Sequence, residues 1–164
     1  MGSQDAAPFR GAFLADTMLG RLVRWLRILG YDTAYERHLP DEALIERVLR
    51  ENRWFLTRDG YLAKRRALRG RHTLLTSDHL GDQLQQLSRE LRLELCVDAD
   101  TESRCAECNV ILQPIPYEEA ARCVPPFVAK QHAEFLHCPG CGRIYWPGTH
   151  WTRLLGQLEQ LRKG

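Results

Sequence analysis

Three times in the first half of the chain a short apolar run ends in an aspartate: AFLAD at Asp16, WFLTRD at Asp59 and TLLTSD at Asp78. Each run has the length and bounded apolar character of a strand buried on both faces, and segments with helical apolar spacing separate the runs. Alternating β and α of this kind points to a parallel sheet with helices on its faces. The carboxyl ends of parallel strands share one edge, so the pattern gathers acids there. Open α/β sheets bind ligands outside that edge, and clustered carboxylates suit a hard cation such as Mg²⁺ or Mn²⁺.

The spacing predicts a first strand over 11–15, followed by a helix in which Leu19, Leu22, Val23, Leu26 and Leu29 face inward and Gly30 supplies the stop. Arg21, Arg24 and Arg27 fall mostly on its other faces. A short strand is expected near 32–35, then a helix from Pro40 to about Asn52 with Leu44, Ile45, Val48 and Leu49 inward. Asp41 sits in its first turn, where it suits the helix dipole. A third strand over 54–57, a basic helix to about Leu68, a fourth strand over 72–76 and an amphipathic helix marked by Leu80, Leu84, Leu87 and Leu91 complete four βα units by about residue 95.

After Asp100 the character changes: Cys105 and Cys108 form one CxxC, Cys138 and Cys141 another. Each pair can place two thiolates on one metal through a tight turn, and two pairs complete the Cys₄ shell of structural Zn²⁺. Redox CxxC motifs come singly, and a cytosolic chain would not keep disulfides. The 29 residues between the pairs exceed ordinary ribbon spacing, with YEEAARCV a candidate helical insertion. Cys96 and Cys123 read as plain buried thiols, and His132 and His137 find no vacancy beside two complete pairs. Ile144, Tyr145, Trp146 and Trp151 suit ribbon packing or, with Arg143 and Arg153, stacking of unpaired bases. The expected organisation is a flexible tail (1–10), an α/β core (11–100), a zinc ribbon (101–148) and a C-terminal helix (149–164). Thr149 would cap that helix, and Trp151, Leu154, Leu155, Leu158 and Leu161 would pack its stripe on the core.

At 164 residues the chain has room for one domain and an appendage, with 44% apolar and 27% charged residues. No segment suits a membrane span, and the start MGSQDAAPFRG lacks the features of a signal peptide, so a cytoplasmic protein is expected. Net charge is only +2, but between Arg58 and Arg71 six basic residues (Arg58, Lys64, Arg65, Arg66, Arg69, Arg71) face a single acid, Asp59. A basic patch thus adjoins an acidic strand end, as binding of a phosphate backbone requires.

The chain resembles the PIN-like ribonucleases, and among them the C-terminal RNase domain named from the exonuclease Mut-seven, which joins a PIN-like core to a zinc ribbon. The marks are FLAD with TMLGRLVRWLRILGYDT, then LPDEALIERVLRENRWFLTRD, then CAEC and CPGCG with IYWPGTHW, across about residues 12 to 148. The resemblance implies that Asp16, Asp41 and Asp59 match the metal-binding acids of PIN-like nucleases, with Asp78 as a further acid and Glu42 as a substitute for Asp41. The chain is shorter than a full PIN pattern, with fewer helices before Asp41.

Phosphodiester hydrolysis needs an activated water and neutralised charge at phosphorus, and Mg²⁺ or Mn²⁺ held by Asp16, Asp41 and Asp59 supplies both. Thr57 or Ser77 would hold water or phosphate. Arg58, Lys64, Arg65 and Arg66, with Arg21 and Arg24, would grip the flanking phosphates of RNA, tRNA and other structured RNAs included. A protein partner or inhibitor would fit the same surface. A haloacid dehalogenase phosphatase needs a second aspartate two residues after Asp16, where Met18 stands, and a receiver domain needs an acid pair after the first strand. The remaining rival is a non-catalytic RNA-binding or adaptor protein working through ribbon and basic patch.

Overall fold

The structure, a computed structural model, describes residues 7–164; residues 1–6 of the expected tail lie outside the described residues. Of the remainder, Phe9 stacks on Phe13 with ring centroids 4.7 Å apart.

Strands β1 (Phe13–Ala15), β2 (Thr33–Tyr35), β3 (Trp54–Thr57) and β4 (His72–Leu74) form one parallel sheet in the order β2-β1-β3-β4. A 3₁₀ turn, Thr17–Leu19, leads from β1 into α1 (Gly20–Ile28); α2 (Asp41–Arg50), α3 (Gly60–Ala63) and α4 (Leu80–Leu91) follow the other strands. Successive side chains of a strand point to opposite faces. Phe13, Ala15 and Leu56 therefore meet α1 and α4 through Leu22, Leu26, Leu84 and Leu87. Leu14 and Phe55 meet α2 and the following turns through Leu44, Ile45, Val48, Leu62 and Leu68. Gly30, at φ +93°, ends α1 as expected: its N–H bonds back to Arg27 and that of Tyr31 to Leu26.

The expected basic helix from Asp59 to Leu68 is broken. After α3 the chain makes a separate 3₁₀ turn, Arg66–Leu68. Six residues advance a helix by about 240°, so a continuous one could not bury Leu62 and Leu68 on the same side; the break lets both reach α2. The edge strand β4 is also shorter than expected. Beyond it, buried Gln86 accepts from Thr76 N–H and donates to the Leu74 carbonyl, so an α4 side chain completes the edge.

The cysteine-rich part is a three-stranded antiparallel sheet of β5 (Gln113–Ile115), β6 (Phe135–His137) and β7 (Ile144–Tyr145), in that order. Two helices, α5 (Tyr117–Cys123) and α6 (Pro126–Gln131), fill the long spacing, closing a small core of Ala120, Val124, Val128 and Phe135. Ile144 and Trp146 pack against it. Cys123 is exposed and Cys96 half-buried, correcting the expectation of buried thiols: α5 buries Ala120 and turns Cys123 outward.

The C-terminal helix α7 (Thr149–Lys163) buries Leu158 in the α1–α4 cluster, flanked by Leu154 and Leu161. Its N-cap is Gly148, with no side-chain cap, so Thr149 does not play the expected role. Among the described residues no helix is long and apolar enough to cross a membrane.

Candidate metal centre and acidic sheet edge

Both cysteine pairs sit in turns of the same kind. Asn109 N–H bonds to Cys105 O and Gly142 N–H to Cys138 O, while Cys105 N–H reaches Val110 O and Cys138 N–H reaches Arg143 O. The fourth residue after each first cysteine takes positive φ, +71° at Asn109 and +77° at Gly142, the conformation that glycine and asparagine tolerate best. The turns aim all four thiols inward, with every sulfur within 4.8 Å of the others. Cys105 and Cys141 are 3.7 Å apart, close to the roughly 3.8 Å edge of a tetrahedron with 2.3 Å Zn–S bonds. Cys108 and Cys138, at 3.1 Å, sit slightly closer. The residues present fit a tetrahedral thiolate-bound ion such as zinc.

A support residue was not legible as such in the sequence. The Tyr145 hydroxyl lies 3.0 Å from Cys105 Sγ and accepts from Ala106 N–H. Burial pushes the Cys105 thiol up, but Tyr145 and backbone N–H groups of the turn outweigh it and hold the pKa at about 6. Burial and the neighbouring Cys138 push Cys108 the other way, to about 12. The sequence offers Tyr145 only as an aromatic for ribbon packing or base stacking; the fold sets its hydroxyl on a ligand.

The first turn is also bolted to the α/β core. Arg27, buried on α1, donates to Thr33 O at 3.0 Å and to Ala106 O at 2.8 Å. Asn109 accepts from Thr33 N–H on the edge strand and donates to Asp32, which pairs with Arg53 at 2.8 Å. Burial works against the Asp32 carboxylate, but Arg53 and Asn109 prevail and hold its pKa below the ordinary value.

At the carboxyl edge of the parallel sheet, the register that pairs Ala15 with Leu56 sets Asp16 beside Thr57. Asp16 is only 6% exposed, yet both its oxygens are satisfied: Oδ1 accepts from Thr17 N–H at 2.7 Å and Oδ2 from the Thr57 hydroxyl at 2.7 Å. The same Thr57 oxygen accepts from Asp59 N–H at 2.9 Å. One hydroxyl thus joins the two strand-end acids. Asp59 Oδ1 caps α3 by accepting from Tyr61 and Leu62 N–H, leaving Oδ2 outside the cap.

Other expected site residues fall out differently. Asp41 is exposed at the start of α2. Its neighbour Glu42 pairs with Arg65 at 2.6 Å, which brings the start of α2 against the middle of the basic segment and occupies Arg65. Asp78 is exposed beside His79, 3.7 Å away, and Ser77 donates to Asp82 rather than facing the other acids. Arg24 pairs with Glu107 of the first cysteine turn at 2.9 Å, so it links core and ribbon. Arg58, Lys64, Arg66 and Arg21 are exposed, and Lys64 Nζ lies 5.9 Å from the ring centre of Tyr61, itself 87% exposed. Among the described residues the four cysteines are the one group of three or more His, Cys, Asp and Glu side chains close enough to share an ion; the aspartates do not form a second.

No curated protein and no solved structure matches the chain. A family model described as the Mut7-C RNAse domain matches residues 11–158, taking in the acidic sheet edge, both cysteine turns and most of α7. Spanning core and ribbon together, that match shows that the chain belongs to the Mut7-C RNAse domain family.

Proposed function

We propose that this protein is a metal-dependent ribonuclease whose aspartates at the carboxyl edge of the parallel sheet hold Mg²⁺ or Mn²⁺ for hydrolysis of RNA phosphodiesters, and whose four cysteines hold one structural Zn²⁺. The observation that carries the reading is the Thr57 bridge, which ties the Asp16 carboxylate to the backbone N–H of Asp59 within an RNase-family domain.

The donor set is all hard oxygen, and Mg²⁺ is commonly held by only one or two carboxylates with water and substrate phosphate completing its shell. Asp16 and Asp59 would be those carboxylates, with Asp41 contributing from the start of α2. Bound there, the ion would neutralise charge at phosphorus and make a bound water easier to deprotonate. The chain's own residues do the rest. Thr57 fixes the direction of the buried Asp16 carboxylate. Asp59 keeps Oδ2 free for ligation or for a water proton. Arg58, Lys64 and Arg66 take backbone phosphates, while Arg65, paired with Glu42, positions the α2 start.

Substituting Asp16→Asn keeps the shape and removes the charge. Cleavage of mixed RNA in Mn²⁺ should fall at least about a hundredfold, with circular dichroism and zinc content unchanged. Cleavage at the wild-type rate would refute the catalytic assignment and favour a binding protein.

A further inference from the structure

Beside the acidic edge lies a cavity of about 370 Å³ lined by Arg21, Trp25, His79, Leu80, Gly81 and Leu84 on one side and by Gln157, Gln160 and Leu161 of α7 on the other. We propose that this cavity receives an unpaired purine base of the RNA substrate, so that the C-terminal helix completes a specificity site. The proposal rests on the ribonuclease reading for its substrate.

Its position follows from topology. Arg21 lies in the first turn of α1, five residues after Asp16, and His79 follows Asp78 at the entry to α4. Strands β1 and β4 run parallel on either side of β3, so both helix starts stand at the carboxyl edge that carries the acids. Because α1 and α4 share one face of the sheet and α7 packs across them, the cavity is walled by three helices. A nucleotide whose phosphate reached Asp16 would have this hollow as a neighbour.

The lining suits a base better than another ligand class. It contains no acid, and Arg21 has no ion pair or hydrogen bond among the described residues, in contrast to Arg24 one turn on, which is tied to Glu107. Among the described residues Gln157 and Gln160 likewise use their carboxamides in no bond, although the buried Gln83 and Gln86 of α4 are both engaged. A carboxamide offers donor and acceptor side by side, the pairing that a purine edge, adenine above all, accepts in bidentate fashion. Trp25 provides an indole wall for stacking and Arg21 a cation for the adjoining phosphate. The volume falls at the small end of the range for ligand sites, roughly 300–1,000 Å³, enough for one base and not for a folded element.

Two separate measurements keep this proposal distinct from the catalytic one. Equilibrium binding of labelled single-stranded A, C and U decamers to the full chain, in buffer with no added Mg²⁺ or Mn²⁺ and no chelator so that nothing is cut and the cysteine-bound zinc stays in place, should favour the A decamer about tenfold. The double substitution Gln157→Ala with Gln160→Ala should level the three to within about twofold. Arg21→Ala should weaken all three alike and keep their order. Equal affinities in the wild type, or a preference unchanged in the double variant, would overturn the proposal. Cleavage of the same decamers in Mn²⁺ tests catalysis on its own: base preference in binding with no cleavage would refute the nuclease reading and leave the cavity assignment standing.

Discussion

Thr57 serves two acids with one hydroxyl, and both partners depend on it. Thr57→Val leaves Asp16 Oδ2 and Asp59 N–H without their partner in a site where Thr57 and Asp16 are buried, which should cost about 1–3 kcal/mol in denaturant unfolding. RNA cleavage should drop about tenfold or more, because the Asp16 carboxylate loses its orientation, and Thr57→Ser should restore both properties. Full activity in the valine variant would show that the bridge is only structural. At the cysteines, the opposed shifts set the proton count of metal binding. At pH 7.5 Cys105, near 6, is already thiolate, whereas Cys108, near 12, and Cys141, also raised, carry protons. Zinc binding should therefore release at least two protons and fewer than four, measurable by calorimetry in buffers of different ionisation heat; release of four would contradict the role given to Tyr145.

The broken helix after β3 separates cations that the sequence presents as a single run. Lys64 and Arg66 have no carboxylate partner among the described residues, while Arg65 is held by Glu42. Replacing Lys64 and Arg66 by Ala should flatten the salt dependence of single-stranded RNA binding by a slope of about 0.7 for each phosphate left without its cation, whereas Arg65→Ala should barely change the slope. Equal slopes for the two variants would return the patch to a solvated surface. The same break explains what sequence periodicity missed here. The sequence suggests one basic helix as far as Leu68, but Leu62 and Leu68 must both reach α2, and burial of two leucines, worth about 1.5–3 kcal/mol each, outweighs one more helical turn.

Across the whole molecule, ribbon and core are joined by polar contacts as well as by α7. Asn109 combines a ligand-turn conformation with a side chain that satisfies Thr33 N–H on the edge strand. Asn109→Ala should destabilise by about 1–3 kcal/mol because that N–H is left unsatisfied, and Asn109→Val by more, since a β-branched residue resists positive φ; chemical denaturation measures both. Removing zinc with a strong chelator should release residues 105–147 to rapid amide exchange while β1 to β4 stay protected, because the sheet's two leucine-rich clusters are complete without the ribbon. Simultaneous loss of protection in the sheet would show instead that the Arg27 and Asn109 contacts make one cooperative unit.

The sequence by itself determined the parallel sheet, its strand-end aspartates and the Cys₄ centre. These depend on local apolar periodicity and on short ligand spacing, both written in neighbouring residues. The strand order β2-β1-β3-β4, which puts Asp16 next to β3, is set by how the elements pack. What only the tertiary structure decided is which of the matching side chains act together. Asp41 and Asp78 share the edge in sequence terms but stand exposed, whereas Thr57, Tyr145 and Asn109 gain their roles from partners 41, 40 and 76 residues away. Arg24 and Arg65 look like phosphate ligands until the fold sets Glu107 and Glu42 against them. Pairing of charges and hydroxyls over such distances depends on how elements pack, and no local pattern carries that information.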